Sequence, residues 1–374
     1  ASDVYKRQTL GFSFEKFEFD NSFNLGAYGF GDARGYVGAF FGDFADMAAF
    51  QQGIANGLLS DAKANAEGVF SANNSAGTWA LAETNVGQLA FYAQDEWNVS
   101  DNFKFTYGIR FDKPLFFDSS RMAQEVIDRG AAYFPGIQYT DPDTSEPVFF
   151  DSTKMPTNKF LASPRVGFNW DVEGDQSFQV RGGSGLFTGR FPFVWLGNQI
   201  ANPNFYFYQV VDPDFKFPQV WRTSLGMDKR LENGMVLTAD LSYTKDINGA
   251  HVQNWALSSP SGVLNGVDNR RIYQASDYSA GPFGGTTNAY VFTNSDKGRI
   301  FNMTLKAQKS FDNGLFASLA YNYLNSKDVN SIEAEITGDA FVFNPTLGNV
   351  NDDRLAYSKY GDTHRIIGVM TKSW

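Results

Sequence analysis

The sequence predicts an all-β protein: an antiparallel, up-and-down β-barrel that crosses a membrane, to which these 374 residues contribute about ten strands. Three observations lead there. Segments in which apolar and polar residues alternate recur along the chain, and that period of two belongs to strands, not helices. Short turns and long links follow one another without exception. Finally, the chain carries 37 phenylalanines and 16% aromatic residues, yet its mean hydropathy is only −0.32. No run approaches the ~18–20 consecutive apolar residues of a transmembrane helix. A barrel strand shows lipid only at every second residue, so its average stays low.

The first eight residues, "ASDVYKRQ", do not continue the pattern. They read as a non-native leader, with the barrel segment occupying residues 9–374. Thr9 to Phe19 forms the first expected strand. A long link, 20–84, follows, with one helical stretch in "GDFADMAAFQQGIANGLL", where Phe44, Met47, Ala48, Phe50, Gln51 and Ile54 recur near helical spacing and Asp43 is a candidate cap. The ribbon "LAFYAQDEWNVSDNFKFTYGIRFD" then places Leu89, Phe91, Ala93, Trp97 and Val99 on one face and Gln88, Tyr92, Gln94, Glu96 and Asn98 on the other. Past its turn, Phe103, Phe105, Tyr107, Ile109 and Phe111 oppose Lys104, Thr106, Arg110 and Asp112.

Three more hairpins repeat the form. Val166–Val172 turns through "EGDQ" into Phe178 and Val180; Trp221–Met227 turns through "ENG" into Leu237–Tyr243; Phe301–Ala307 turns through "DNG" into Leu315–Tyr323. Asn-Gly supplies the positive-φ residues a tight hairpin needs. Thr363 to Trp374 is the last strand, and the remaining links cover 113–160, 189–217, 247–297 and 327–362. All short turns therefore fall at one end of the sheet and all long links at the other. Soluble domains rarely carry several links this long, whereas outer-membrane barrels pair short periplasmic turns with long extracellular loops. Trp97, Phe103 and Trp170 lie beside the short turns, where aromatic rings favour the membrane interface. Mid-strand charges such as Arg110, Asp240 and Lys306 fall on the face opposite the apolar stripes, as a wet lumen allows.

The hairpin "FYAQDEWNVSDNFKFTYGIRFD" resembles one recurrent in TonB-dependent outer-membrane receptors. "RGGSGLFTGRFPFVWLGNQ", Arg181 to Gln199, resembles a block of their Oar-like, Bacteroidetes-type branch, as do "GVDNRRIY", "YNYLNSKDVNSIEAEITGDAF" and "YGDTHRIIG". The resemblance implies a 22-stranded barrel with an N-terminal plug, in the outer membrane of a Gram-negative bacterium, taking up bulky or scarce nutrients with energy relayed by TonB. This sequence contains no plug and no TonB box, so the expectation is a segment from the middle of such a barrel, reaching the TonB complex through the absent plug. Lys372 interrupts the apolar alternation near Trp374 and is read as a truncation inside a strand.

Chemistry is sparse. There are no cysteines, which excludes disulfides, Cys nucleophiles and Cys-ligated metals, and only two histidines, His251 in an expected loop and His364 at a strand start. No nucleophile elbow is present, "GGSG" at 182–185 lacks the rest of a phosphate loop, and no cofactor, metal or catalytic residue is expected. The acidic runs Asp141–Pro147 and Gly348–Arg354 suit solvated loop surface, with Ca²⁺ binding as the alternative. A net charge of −10 argues against nucleic acid as a partner. The expected partners are outer-membrane lipid and an extracellular nutrient, an oligosaccharide, a peptide or similar.

The ligand is expected at Gly189 to Gln209, where Arg190, Phe193, Trp195, Asn198, Gln199, Tyr206 and Tyr208 combine rings with amides suited to stacking and hydrogen bonding. The same rings would also serve to pack that loop onto the rim, and the residues alone leave both roles open. An adhesion or structural barrel without transport and a small barrel enzyme stand as the competing functions.

Overall fold

The computed structural model describes residues 5–21, 47–55, 82–128, 133–190, 192–201, 209–281, 285–331, 337–344, 346–359 and 361–374. Its strands of three or more residues are β1 Lys6–Asn21, β2 Ala82–Ser100, β3 Phe103–Leu115, β4 Leu161–Asp171, β5 Phe178–Thr188, β6 Gln209–Val211, β7 Gln219–Arg230, β8 Val236–Asn254, β9 Tyr290–Ser295, β10 Arg299–Ser310, β11 Leu315–Asp328 and β12 His364–Lys372. Helices are α1 Met47–Ala55, α2 Ser119–Asp128, α3 Phe193–Ala201 and α4 Thr337–Val342. Ten long strands form one antiparallel meander in the order β1-β2-β3-β4-β5-β7-β8-β10-β11-β12. Among the described residues β1 pairs only with β2, and β12 only with β11, so the barrel wall stays open between them.

Local chemistry explains the turns. Gly234 and Gly314 sit at φ +79° in "ENG" and "DNG", a backbone region that costs glycine nothing. Each turn is closed by a backbone pair, Leu231 N to Met235 O at 2.8 Å and Phe311 N to Leu315 O at 2.8 Å. The first strand begins at Lys6, ahead of the expected Thr9. Lys6, Arg7 and Gln8 pair with Trp97, Glu96 and Asp95, so the last three residues of the supposed leader take part in the sheet.

What the sheet exposes and what it buries decide its solvent. In a soluble sandwich the apolar stripes would meet a second sheet. Here they remain bare: Leu10, Phe12 and Phe14 on β1, Leu225 and Met227 on β7, Leu237 and Leu241 on β8, Phe301 and Leu305 on β10, Leu319 on β11. The buried hydrophobic clusters lie instead in the long links and at the strand ends beside them. Apolar stripes facing outward over the middle of a one-layer wall, with the core displaced to one end, match lipid as the surrounding medium.

The outward face also measures the bilayer. At the short-turn end four lysines lie over aromatic rings: Lys6 over Trp97 at 5.1 Å, Lys229 over Phe178 at 5.0 Å, Lys309 over Phe311 at 5.0 Å and Lys372 over Trp374 at 5.2 Å. At the loop end Lys16 covers Phe117 at 5.2 Å, Lys113 covers Phe160 at 5.6 Å and Lys327 covers Tyr357 at 4.9 Å. Lysines carry their charge to the headgroups while their stems lie along apolar surface. On β1 the two belts are ten residues apart, Lys6 to Lys16. At ~3.3 Å per residue and ~40° of tilt that spacing projects to about 25 Å, the height of a barrel's apolar band. Lys372 is thus one of the belt lysines, donating also to the carbonyl of Asn313, which accounts for its break in the alternation.

Trp97 and Phe103 are half-buried and Trp170 is 41% exposed, all in the short-turn belt, with Phe103 directly across from Trp170. Helix α1 occupies the middle of the helical stretch read in the first link; Asp43 and Phe44 lie outside the described residues. The other links are not plain loops. They contain α2, α3 and α4 and join in a shared core, and β8 continues to Asn254, so that His251 stands on a strand and not in a loop.

Candidate functional site

Two parts of the molecule gather polar chemistry: the inner wall of the sheet and the cap of packed links above it. The inner wall is fixed by register. Moving down it, one row runs Gln94, Gly108, Arg165, and on through Gly185, Arg222 and Thr244. The next row carries Glu96, Thr106, Gly167, Gly183, Ser224, Ser242 and Asn302. Below that come Asn169, Arg181, Gly226, Asp240, Thr304, Asn322 and Arg365. The concavities of the sheet open mainly on this polar face. One of them, about 810 Å³, is lined by Arg222, Ser242, Asn302, Thr304, Asn322 and Arg365 among others.

Several wall charges are internally matched. Arg181 bridges Asp228 and Asp240, the latter at 2.6 Å. Arg110 holds Asp112 at 2.8 Å, and Gln88 donates to the same oxygen at 2.7 Å. Lys104 reaches Glu96 at 2.9 Å. Because the Arg181 bridges are about 40% exposed and such pairs contribute ~0–1 kcal/mol, Asp240→Asn should lower stability by less than about 1 kcal/mol. Denaturant titration of the folded chain checks that expectation.

The cap is built around α3. Trp195 is 3% exposed and packs on Phe292 with centroids 4.1 Å apart. Leu196 and Ile200 are fully buried beside it. Phe193 contacts Phe17 at 5.7 Å and Phe217 at 6.3 Å, which seats the helix on the inner face of β1 at the loop end. Gly197 permits the approach, since a Cβ there would lie 2.7 Å from the Phe19 ring. Two buried amides tie the links together. Gln199 donates to the carbonyls of Ser152 at 2.8 Å and Lys154 at 2.9 Å and accepts from Val211 N at 2.8 Å. Gln209 donates to Trp195 O at 2.5 Å and accepts from Thr337 N at 2.8 Å.

A second polar knot fills the cap beside β8. His251, 2% exposed, pairs with Asn330, and Asn351 bonds the backbone of Asn254 in both directions at 2.8 Å. Burial pushes the Asp143 and Asp212 carboxyls above the ordinary range and raises the Tyr139 hydroxyl to about 12. Asp141 in the first acidic run accepts from the backbone of Asp143 at 2.8 Å and serves its own turn.

The ligand residues expected from sequence separate on this frame. Trp195 and Gln199 are interior parts of the cap. Phe193 and Asn198 are half-buried, while Arg190 is exposed and pairs with Glu15 on the inner face of β1. Tyr206 and Tyr208 lie outside the described residues. The stretch read as a loop is a helix because Phe193, Leu196, Gly197 and Ile200 recur at helical spacing, a pattern hidden by the many rings around it. The arginines at positions 165, 222 and 365 were not singled out by sequence. Their parity placed them on the polar face, but only the register brings them to one wall.

Residues 8–208, more than half of the chain, match the family model described as an outer membrane beta barrel domain. No curated protein sequence matches the chain. Among solved structures, the outer membrane transporter YddB from Escherichia coli is similar at 12% identity and TM-score 0.46, over 77% of this chain and 31% of that one. The FrpB iron transporter from Neisseria meningitidis (F5-1 variant) is similar at 10% identity and TM-score 0.44, over 86% and 34%. The siderophore receptor PirA from Acinetobacter baumannii is similar at 11% identity and TM-score 0.42, over 86% and 34%. The chain spans about a third of the length of these structures.

Proposed function

Because the chain belongs to the outer membrane beta barrel domain family, we propose that it forms one wall of a receptor or transporter of the Gram-negative outer membrane, of the TonB-dependent, Oar-like kind, for a bulky polar nutrient such as an oligosaccharide or peptide. The observation that supports this reading most is the inner wall: amides, hydroxyls and guanidiniums, interspersed with Ile300, Leu324 and Ile367, border a concavity of about 810 Å³, beneath a packed cap. Such a face hydrogen-bonds a polar solute at many weak points, and the cap narrows access from the loop end. Arg190, Phe193 and Asn198, at the boundary of cap and lumen, are the proposed first contacts.

The test compares cells that carry the receptor with and without a working TonB system, using a panel of fluorescent oligosaccharides and peptides. Uptake of at least one probe that needs both the receptor and TonB is the expected result. Equal uptake in cells lacking TonB would refute energised transport.

A second reading, an adhesion or structural barrel, draws on one feature. The hairpin joining Gly262–Val263 to Arg271–Ile272 exposes Val263, Leu264 and Val267, and Arg270 ties it to Thr346, beside exposed Phe343 and Leu347. Apolar side chains gathered at the loop end suit contact with another surface. Cell-surface attachment without uptake of any probe would favour that reading.

A further inference from the structure

We infer that Arg165 and Arg222 form an oxyanion-binding trough partway along the inner wall, which takes a carboxylate, sulfate or phosphate group carried by the solute. The inference deepens the reading of that wall as a solute path and rests on it.

Arg165 lies across from Gly185, and Gly185 across from Arg222, so a single glycine separates two guanidinium-bearing positions in one row. A Cβ at Gly185 would come within 2.8 Å of the Arg165 Cβ; a larger residue there would crowd the first arginine. In the adjacent row Gly167 and Gly183 face each other and Ser224 follows. Together with Gln94 and Thr106 these residues bound a concavity of about 190 Å³. Arg165 and Arg222 bring the charged donors to it, beside the apolar side chains of Phe187 and Val166.

The balance of charge points to an anion. A guanidinium has five N–H donors and no acceptor. Arg165 uses one contact on the neutral Gln94 Oε1 at 2.9 Å, and Arg222 one on the neutral Thr244 Oγ1 at 3.0 Å. Among the described residues neither has a carboxylate partner. Four acids of the neighbouring rows are engaged elsewhere, Glu96 with Lys104, Asp240 and Asp228 with Arg181, and Asp112 with Arg110, while Asp246, in the row above Thr244, makes no ion pair with either arginine. In a chain of net charge −10, two adjacent arginines without acid partners present a local positive field, whereas among the described residues Lys306 and Arg365 stand singly further along the same wall. Planar, forked donors suit the oxygens of carboxylate and phosphate. Two strand spacings set the arginine backbones about 10 Å apart, a gap their long side chains can close around one anionic group.

The natural absence of cysteine allows a direct test in the membrane. Ser224→Cys places a thiol in the trough, and its reaction rate is measured with a sulfonate-bearing and an ammonium-bearing thiol reagent, with and without tripolyphosphate. The sulfonate reagent should react about tenfold faster relative to the ammonium reagent than it does with a free thiol, and millimolar tripolyphosphate should protect saturably. Adding Arg165→Gln and Arg222→Gln should abolish both effects, whereas Lys306→Gln, on the same wall outside the trough, should leave them. Equal preference and protection in the double glutamine variant, or none in the parent, overturns the inference while a reactive thiol still supports a wet wall. A thiol that reacts with neither reagent defeats the reading of the wall itself.

Discussion

Leu241→Lys should destabilise the folded barrel by about 2–4 kcal/mol, the cost of a lysine on the lipid face near the bilayer midplane. Leu241 is 40% exposed, on the outward stripe between Leu225 of β7 and Met303 of β10. Its neighbour in sequence provides the control. Ser242 faces Ser224 and Asn302 on the inner wall, and Ser242→Lys should change stability by less than about 1 kcal/mol because the charge stays in water. Denaturant titration in detergent or lipid, with heat-modifiable mobility on a denaturing gel as the folded signal, separates the two. Equal costs at both positions would mean that the two faces meet the same medium.

Trp195→Ala should cost about 3–5 kcal/mol, the usual price of emptying a buried tryptophan site, and the loss should be confined to the cap. The ring is 3% exposed, in a cluster with Phe215, Phe217 and Phe292. None of these residues stands in the membrane-facing middle of a strand, so the wall does not depend on them. Hydrogen exchange should show α3, α4 and β6 opening while β3, β4 and β5 stay protected. Gln199→Leu should act in the same place, because it leaves the Ser152 and Lys154 carbonyls and the Val211 N–H without their partner. Uniform loss of protection over cap and wall would contradict this division.

How far the sequence reached follows from the range of each signal. Alternation is local, so the strands of "LAFYAQDEWNVSDNFKFTYGIRFD" and the Asn-Gly hairpins could be placed from a few residues each. The belts were half visible: Trp97 and Trp170 marked them, but lysines above the rings emerged only when strands were paired. Register is a long-range property, which is why nothing in the sequence singled out Arg165 and Arg222 as neighbours. Phe193 to Ala201 hid its helix because Phe193, Val194, Trp195 and Leu196 run together without a polar break, which masks the helical period. Trp195 and Gln199 looked suited both to a ligand and to packing, and the residues alone left both roles open. Burial against Phe292 and Val211 is a fact of the tertiary structure.

The central claim is the sidedness of the wall, and single cysteines along β8 and β10 test it most directly. With bimane attached in turn at positions 237–242 and 301–306, quenching by lipids carrying a nitroxide on the acyl chain should peak at Leu237, Ala239, Leu241, Phe301, Met303 and Leu305. Quenching by iodide in water should peak at the residues between them. A flat profile, or acyl-chain quenching at Thr238, Asp240 and Ser242, would contradict the account.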